Sequence, residues 1–346
     1  MNYILAILGL GAIIIIHELG HFVLAKINGV KVLSFSIGFG PKILTHKGKE
    51  TEYSISLLPV GGYVEMYGMI DDEEGDEKQE EPKDVDRMFM SKSPLQRLSI
   101  IIAGPLMNIV LAIFLFGSSY MNFGYIDTSL GKVTEGGAAI EAGMEAGDRI
   151  TKVNGNKIFT SDDIGLAVNS SGEKPVTLEY ERAGQVKEAT LTPKFDEELN
   201  RYRIGIEFAT VENPTIGQCV KHSFDETFGL ITENYKAIVK LISGKGNFKT
   251  DLGGPVAIVK VSSSAAKAGV WAMVKLVAIL SIGVGIFNLV PLPVLDGGTS
   301  VLLLIEMITR RKVPTKVVNV LNTIGVVFLF GLMIIVTIKD ILFPIS

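Results

Sequence analysis

His17, Glu18 and His21 stand in the order His-Glu-Leu-Gly-His. Residues four apart share one face of a helix, so both imidazoles reach a single metal ion, and the glutamate after the first histidine addresses a water bound to it. A hydrolytic zinc takes three protein ligands and keeps one position for water, whose pKa falls to about 7. The chain has only 4 histidines, and two of them fall at this spacing. Paired helix histidines also occur as packed or hydrogen-bonded residues. The setting argues against that here, because Ile13–Ile16 precede the motif and Phe22–Leu24 follow it. Two imidazoles and a carboxylate are costly at membrane depth, and function is the default reading of them.

A third ligand must come from elsewhere, and Asp296 is the best placed. It ends an apolar run on the same side of the bilayer as His17 and His21. Glu306 shares that side but lies further from the run, Asp340 falls at the opposite face, and Glu65, His46 and His222 have polar neighbours. Pro291 and Pro293 break the helix ahead of Asp296, and Gly297 and Gly298 permit close backbone approach. Broken backbone at membrane depth is tolerated where it lines a buried polar cavity. Alone, Asp296 reads as a helix N-cap; with the histidine pair it reads as a ligand. Zinc is the ion such donors suit best, and other divalent metals use similar sets.

The elements that must position these groups follow from composition. The 346 residues are 47% hydrophobic, with a mean hydropathy of +0.37. Apolar runs at about Tyr3–Leu24, Leu98–Phe123, Val270–Leu295 and Val317–Ile338 are each long enough to cross a hydrocarbon core of roughly 30 Å. The chain therefore reads as a polytopic α-helical membrane protein with four transmembrane helices. The first run lacks the basic start and small-residue cleavage site of a signal peptide. Lys26, Lys31, Lys42, Lys47, Lys49, Lys92 and Arg97 lie between the first two runs, and Arg310, Arg311, Lys312 and Lys316 between the last two. By the positive-inside rule these segments are cytoplasmic and both termini are extracytoplasmic. A net charge of −4 gives no nucleic-acid footprint. The single cysteine, Cys219, excludes an internal disulfide and reads as a small buried side chain.

Between the runs, Lys31–Gly40 and Thr51–Met66 read as strands; Tyr53, Ile55 and Leu57 alternate with Ser54 and Ser56 as in a half-exposed strand. Asp71–Asp86 is nearly all polar or charged and reads as a mobile loop. From Tyr125 to Thr192, short apolar strands mix with glycine-rich turns in a water-soluble module. Ile216, Val220, Phe224, Phe228, Ile231, Tyr235, Ile238 and Ile242 recur at helical spacing. That stripe suits packing on the module and a helix lying on the membrane surface equally well.

Five segments then match one family in order along nearly the whole chain: His17–His21; Gly38-Phe39-Gly40; Pro59–Val64; Ala103–Asn108; and Asn288–Gly298 with its Pro291-Leu292-Pro293-Val294-Leu295-Asp296 core. The chain resembles the site-2 protease family, in its bacterial regulator-of-sigma-E protease branch. The resemblance implies an intramembrane zinc metalloprotease of the bacterial cell membrane, with Zn2+ held by His17, His21 and Asp296 and with Glu18 as the catalytic carboxylate. It gives Asn288 to the substrate or the oxyanion. It makes Gly38, Phe39 and Gly40 part of a membrane re-entrant β-hairpin, and Ser54, Ile55 and Ser56 a strand that pairs with unwound substrate. Asn108, Pro291 and Pro293 join the substrate-binding set. Ala142–Ile150 and Val153-Asn154-Gly155 resemble a PDZ domain, one copy where many relatives have two. The domain serves either as a steric filter against bulky ectodomains, the favoured role, or to capture a peptide end.

The partners implied are a single-span protein or remnant signal peptide as substrate, the lipid bilayer, and an upstream site-1 protease. The expected division is transmembrane helix 1 at 1–26, the β region at 27–70, an acidic loop at 71–92, and transmembrane helix 2 at 93–123. The PDZ domain follows at 124–208, an amphipathic helical region at 209–268, transmembrane helix 3 at 269–298, a cytoplasmic loop at 299–316, and transmembrane helix 4 at 317–343. Two rival classes fit less well. A scaffold that has lost catalysis would lack a motif residue, and a metal transporter would need polar residues strung across the bilayer.

Overall fold

A computed structural model describes residues 2–69, 84–246 and 253–343. Most of the acidic stretch, 70–83, lies outside them. The helices and strands, in order, are α1 (Asn2–Ile27), β1 (Val32–Lys47), β2 (Glu52–Met66), α2 (Pro94–Phe123), β3 (Tyr125–Val133), α3 (Ala138–Glu141), β4 (Arg149–Val153), β5 (Asn156–Lys157), α4 (Ser161–Ser171), β6 (Val176–Arg182), β7 (Gln185–Leu191), β8 (Lys194–Asp196), β9 (Arg201–Arg203), β10 (Ile206–Val211), α5 (Ile216–Ile242), α6 (Pro255–Ala268), α7 (Val270–Asn288), α8 (Asp296–Thr309) and α9 (Thr315–Leu342). Two compact units result, residues 113–233 and the remainder.

Among the described residues, four helices are long and apolar enough to span a bilayer: α1 over Leu8–Ile27, α2, α7 and α9. The structure differs from the sequence expectation at the third of these. Its helix stops at Asn288, seven residues before the apolar run does, and a new helix begins at Asp296. The segment expected as a loop over 299–316 is helical to Thr309. Two prolines within three residues deny the backbone the hydrogen bonds that would carry α7 onward. Beyond them, Asp296 starts a fresh helix.

β1 and β2 are long and fold over on each other. Ser34–Ile37 pair with Gly62–Glu65 on one side and with Glu52–Ile55 on the other, while Lys42–Lys47 pair with Glu52–Ser56. The small sheet is inside-out. Ser34, Ser36, Ser54 and Ser56 are buried, whereas Phe39, Ile43, Leu44, Ile55, Leu57 and Leu58 are exposed. Alternation defines two faces of a strand without saying which one is covered. At its base, Glu50 accepts from Lys26 Nζ and Arg87 Nη2, each at 2.6 Å. These two bonds hold its carboxyl down at about 2. Arg97 of α2 and Glu306 of α8 form an ion pair at 2.5 Å, both side chains largely buried.

The soluble module is an antiparallel sheet in the order β10-β3-β4-β6-β7, with β5 paired to β4 and a separate β8–β9 ribbon. Its core is apolar, built on Leu130, Met144, Ile150, Ile164, Leu178 and Tyr180 with their neighbours. Thr160 caps α4 in a reciprocal box with Asp163, satisfying two otherwise orphaned amides. α5 keeps its periodicity but turns its apolar stripe outward: Ile216, Val220, Phe224, Phe228, Tyr235 and Ile242 are exposed, and Cys219, His222, Ser223 and Thr227 are buried.

Candidate metal centre

Two helices, α1 and α8, bring the expected ligands together. His17 Nε2 lies 3.1 Å and His21 Nε2 3.5 Å from Asp296 Oδ2, and the two Nε2 atoms are 3.2 Å apart. A tetrahedral zinc with bonds of about 2.0–2.1 Å holds its ligand atoms about 3.3 Å from one another. The three separations bracket that value. Asp296 Oδ2 is buried and accepts no hydrogen bond, as suits an oxygen shared with a cation. Nitrogen and carboxylate donors of this kind fit zinc. Among the described residues, this is the one His/Cys/Asp/Glu cluster close enough to hold a metal.

Local backbone makes the convergence possible. On α2, a Cβ added to Gly104 would sit 2.3 Å from His21 Nε2 and 2.9 Å from His17 Nε2. On α1, one added to Gly20 would sit 2.3 Å from the Ala103 carbonyl oxygen. Small residues let two apolar helices approach to backbone contact, and here that contact brings α2 over the histidines. His21 Nδ1 donates to the Ile100 carbonyl at 2.9 Å, which orients the ring. Gly297 and Gly298 are equally confined, since added Cβ atoms would fall within 2.4 Å of carbonyl oxygens of residues 289–292. Val294, two residues before the aspartate, has φ of 78°, a conformation that costs a valine of order 1–3 kcal/mol.

Glu18 faces the backbone N–H of Val64, and its Cγ lies 3.4 Å from where a Cβ on Gly62 would be. Together with His17, His21, Tyr63, Asn288 and Asp296 it lines a cavity of about 280 Å³. Asn288 reaches that cavity from the end of α7, one amide hydrogen donated to Val284 O at 3.0 Å.

The other residues named from sequence are dispersed. Gly38 and Gly40 have φ of 86° and 89° at the bend of β1. The Phe39 ring, half-exposed, stacks at 6.5 Å on Tyr63. Ser54 and Ser56 are buried within the small sheet, and Ile55 points out. Both edges of Glu52–Ile55 are already paired, so this stretch has no edge for an added strand; among the described residues, the edge left unpaired beside Glu18 is that of Gly62–Met66. Pro291 and Pro293 shape the break before Asp296. Asn108 is fully buried, its Nδ2 3.3 Å from His17 Nδ1, so it has no surface for a substrate to touch. Sequence reasoning gave no role to Gly104, Ile100 or Val64. The first matters for what it lacks and the others for backbone groups, which side-chain chemistry does not signal.

Residues 5–332 match the model of "Peptidase family M50". The chain is 41% identical to "Putative zinc metalloprotease CPE1693" of Clostridium perfringens, covering all of both chains. It is 30% identical to "Probable protease eep" of Enterococcus faecalis, covering 96% of each. A solved PDZ domain of the SdrC-like protein from Listeria monocytogenes is 22% identical, covering 25% of this chain and 90% of its own, with a TM-score of 0.23. With a whole-length family match and four apolar helices long enough to span a bilayer, the chain belongs to peptidase family M50 and is a multi-pass membrane zinc metalloprotease.

Proposed function

We propose that this protease cuts peptide bonds within transmembrane segments of single-span proteins or remnant signal peptides. The observation that carries the reading is the meeting of His17, His21 and Asp296, with Glu18 beside them, on helices whose surroundings are apolar. His17, His21 and Asp296 are the zinc ligands. When bound, zinc supplies Lewis acidity for the scissile carbonyl and a water acidic enough to ionise near pH 7. Glu18 takes the proton from the attacking water and returns it to the leaving amine. The second amide hydrogen of Asn288 stabilises the oxyanion.

A helical peptide bond is shielded, so the substrate must unwind. An unwound segment has backbone groups to satisfy, and the unpaired edge of Gly62–Met66, on the cavity wall beside Glu18, can satisfy them by strand addition. The outward apolar face of β1 and β2 supports their re-entry into the membrane, and the bare stripe of α5 supports a helix lying on its surface. Lys and Arg distribution supports cytoplasmic placement of the metal-proximal side, with the module and both termini extracytoplasmic. The module then serves as a filter. Capture of a peptide end is a second reading, favoured by an apolar groove in the module lined by Ile164, Val168, Ile204, Ile206 and Phe208.

The test compares wild type with Glu18→Gln in nanodiscs, using a single-span substrate with a helix-destabilised centre, mass spectrometry of the products and zinc quantification. Cleavage within the span by wild type, with an inert variant that keeps its zinc, is the expected result. Zinc in both samples with no cleavage of several such spans would sink the proteolytic reading. Absence of zinc from wild type would sink the ligand assignment.

A further inference from the structure

A neutral histidine carries its proton on Nδ1 or on Nε2, and the second choice closes Nε2 to a metal. His21 has no freedom here. Its Nδ1 lies against the Ile100 carbonyl, which only accepts, so Nδ1 holds the proton and Nε2 keeps its lone pair. His17 Nδ1 instead meets the side-chain amide of Asn108 at 3.3 Å. Asn108 is fully buried, and its Oδ1 has no hydrogen-bond partner. Turning an amide by 180° exchanges oxygen for nitrogen without changing its shape. With Nδ2 toward the ring, Asn108 donates to His17 Nδ1 and the ring proton moves to Nε2, inside the ligand cluster. With Oδ1 toward the ring, the orphaned oxygen accepts from Nδ1–H, and Nε2 offers a lone pair. Only the second arrangement leaves three donor atoms for one cation.

We propose that Asn108 is a positioning residue for His17: its side-chain oxygen accepts the Nδ1 proton and fixes the tautomer that presents Nε2 to a divalent metal. This rests on the ligand assignment of His17, His21 and Asp296. The residue is itself held in place, because its backbone carbonyl accepts from Ser281 Oγ of α7 at 2.8 Å. Metal-bound histidines generally have such a partner on the other ring nitrogen. Leucine has a similar volume and would suit the apolar neighbourhood, so packing alone does not call for an amide.

The experiment uses the full chain in detergent: wild type, Asn108→Leu, Asn108→Asp and His17→Ala. Zinc affinity is read by competition with a chelator of known Kd, and thermal unfolding of the zinc-free proteins is followed alongside. Asn108→Leu should weaken zinc binding about 10- to 100-fold with zinc-free stability at or above wild type. Asn108→Asp, which keeps an acceptor, should bind at least as tightly as wild type. Wild-type affinity in Asn108→Leu, or equal losses in the Leu and Asp variants, would overturn the positioning role. If Asn108→Leu does not fold, Asn108→Ala takes its place in the same comparison. His17→Ala separates the two claims: loss of zinc there with wild-type affinity in Asn108→Leu defeats only the role of Asn108, whereas retained zinc defeats the ligand assignment itself.

Discussion

Inside the soluble module, the buried carboxylate of Asp148 is answered by Arg182 Nε at 2.6 Å, Arg182 Nη2 at 2.7 Å and the Glu145 N–H at 2.9 Å. In the membrane-associated unit, Asn108 Oδ1, Asp296 Oδ2 and the hydroxyls of Ser34, Ser54 and Ser300 are buried with no hydrogen-bond partner. Among the described residues, no buried side-chain polar atom of the module between Tyr125 and Val211 is left that way. A buried polar group without a partner costs on the order of 1–3 kcal/mol, so a fold keeps one where something else uses it. The module spends its polar groups on shape. In the membrane unit two of the unpartnered atoms stand at the metal centre: Asn108 Oδ1, on the side chain beside His17, and Asp296 Oδ2, where a cation is the natural partner.

The sharpest way to break this contrast is Gly104→Ala. A methyl group 2.3 Å from His21 Nε2 cannot be accommodated without moving the ring, and zinc content by atomic absorption should fall to background while the module stays folded. Retained zinc would mean that the close approach of α1 and α2 is not what shapes the site. The module's counterpart is Leu178→Ala, in a core position with no exposed surface. It should cost about 3 kcal/mol in denaturant unfolding followed by amide exchange on β6, with zinc content untouched.

Asp148→Asn comes next, at about 2 kcal/mol near neutral pH. Burial pushes the Asp148 carboxyl up, but the bonds from Arg182 and the Glu145 amide outweigh it and hold it below the usual range. The stabilisation is therefore present above the ordinary carboxylate range and lost as pH falls through the lowered value. The variant's stability should lack that acid-side decline; an unchanged pH profile would show that the pair is not coupled to folding. The smallest effect belongs to Glu50→Gln, about 1 kcal/mol or less, because the site is partly open to solvent. Its contribution should fade between about pH 4.5 and about 2, read as faster proteolytic nicking of β1 in wild type as pH drops through that window. Equal nicking rates at every pH would remove Glu50 from the anchoring of the sheet.

Legibility from sequence followed the same division. The four long apolar helices and the module's strands were readable because period and composition dictate them. The closeness of Asp296 to the two histidines could be expected because a carboxylate at the end of an apolar run is rarely idle. α8 was missed: between Asp296 and Thr309 its apolar residues are too few to span a bilayer and follow a proline break, so they read as loop. The inversion of the small sheet and of α5 was hidden for another reason. Periodicity reports that a strand or helix has two faces, but whether the apolar one meets protein or hydrocarbon depends on the surrounding solvent. Asn108 was found through its motif, yet its place behind His17 depends on two helices meeting at Gly20 and Gly104, which no single stretch of sequence encodes.

If substrate pairs, as proposed, with the edge of Gly62–Met66 that is left unpaired among the described residues, a consequence for selectivity follows. Backbone amides and carbonyls are the same at every residue, so pairing along such an edge is indifferent to the letters of the segment laid on it. Discrimination then shifts to how readily a candidate gives up its own helix. On that proposal the enzyme would rank its clients by the free energy of local unravelling, and a segment could change many side chains without changing its rank, provided its helix frays as easily as before.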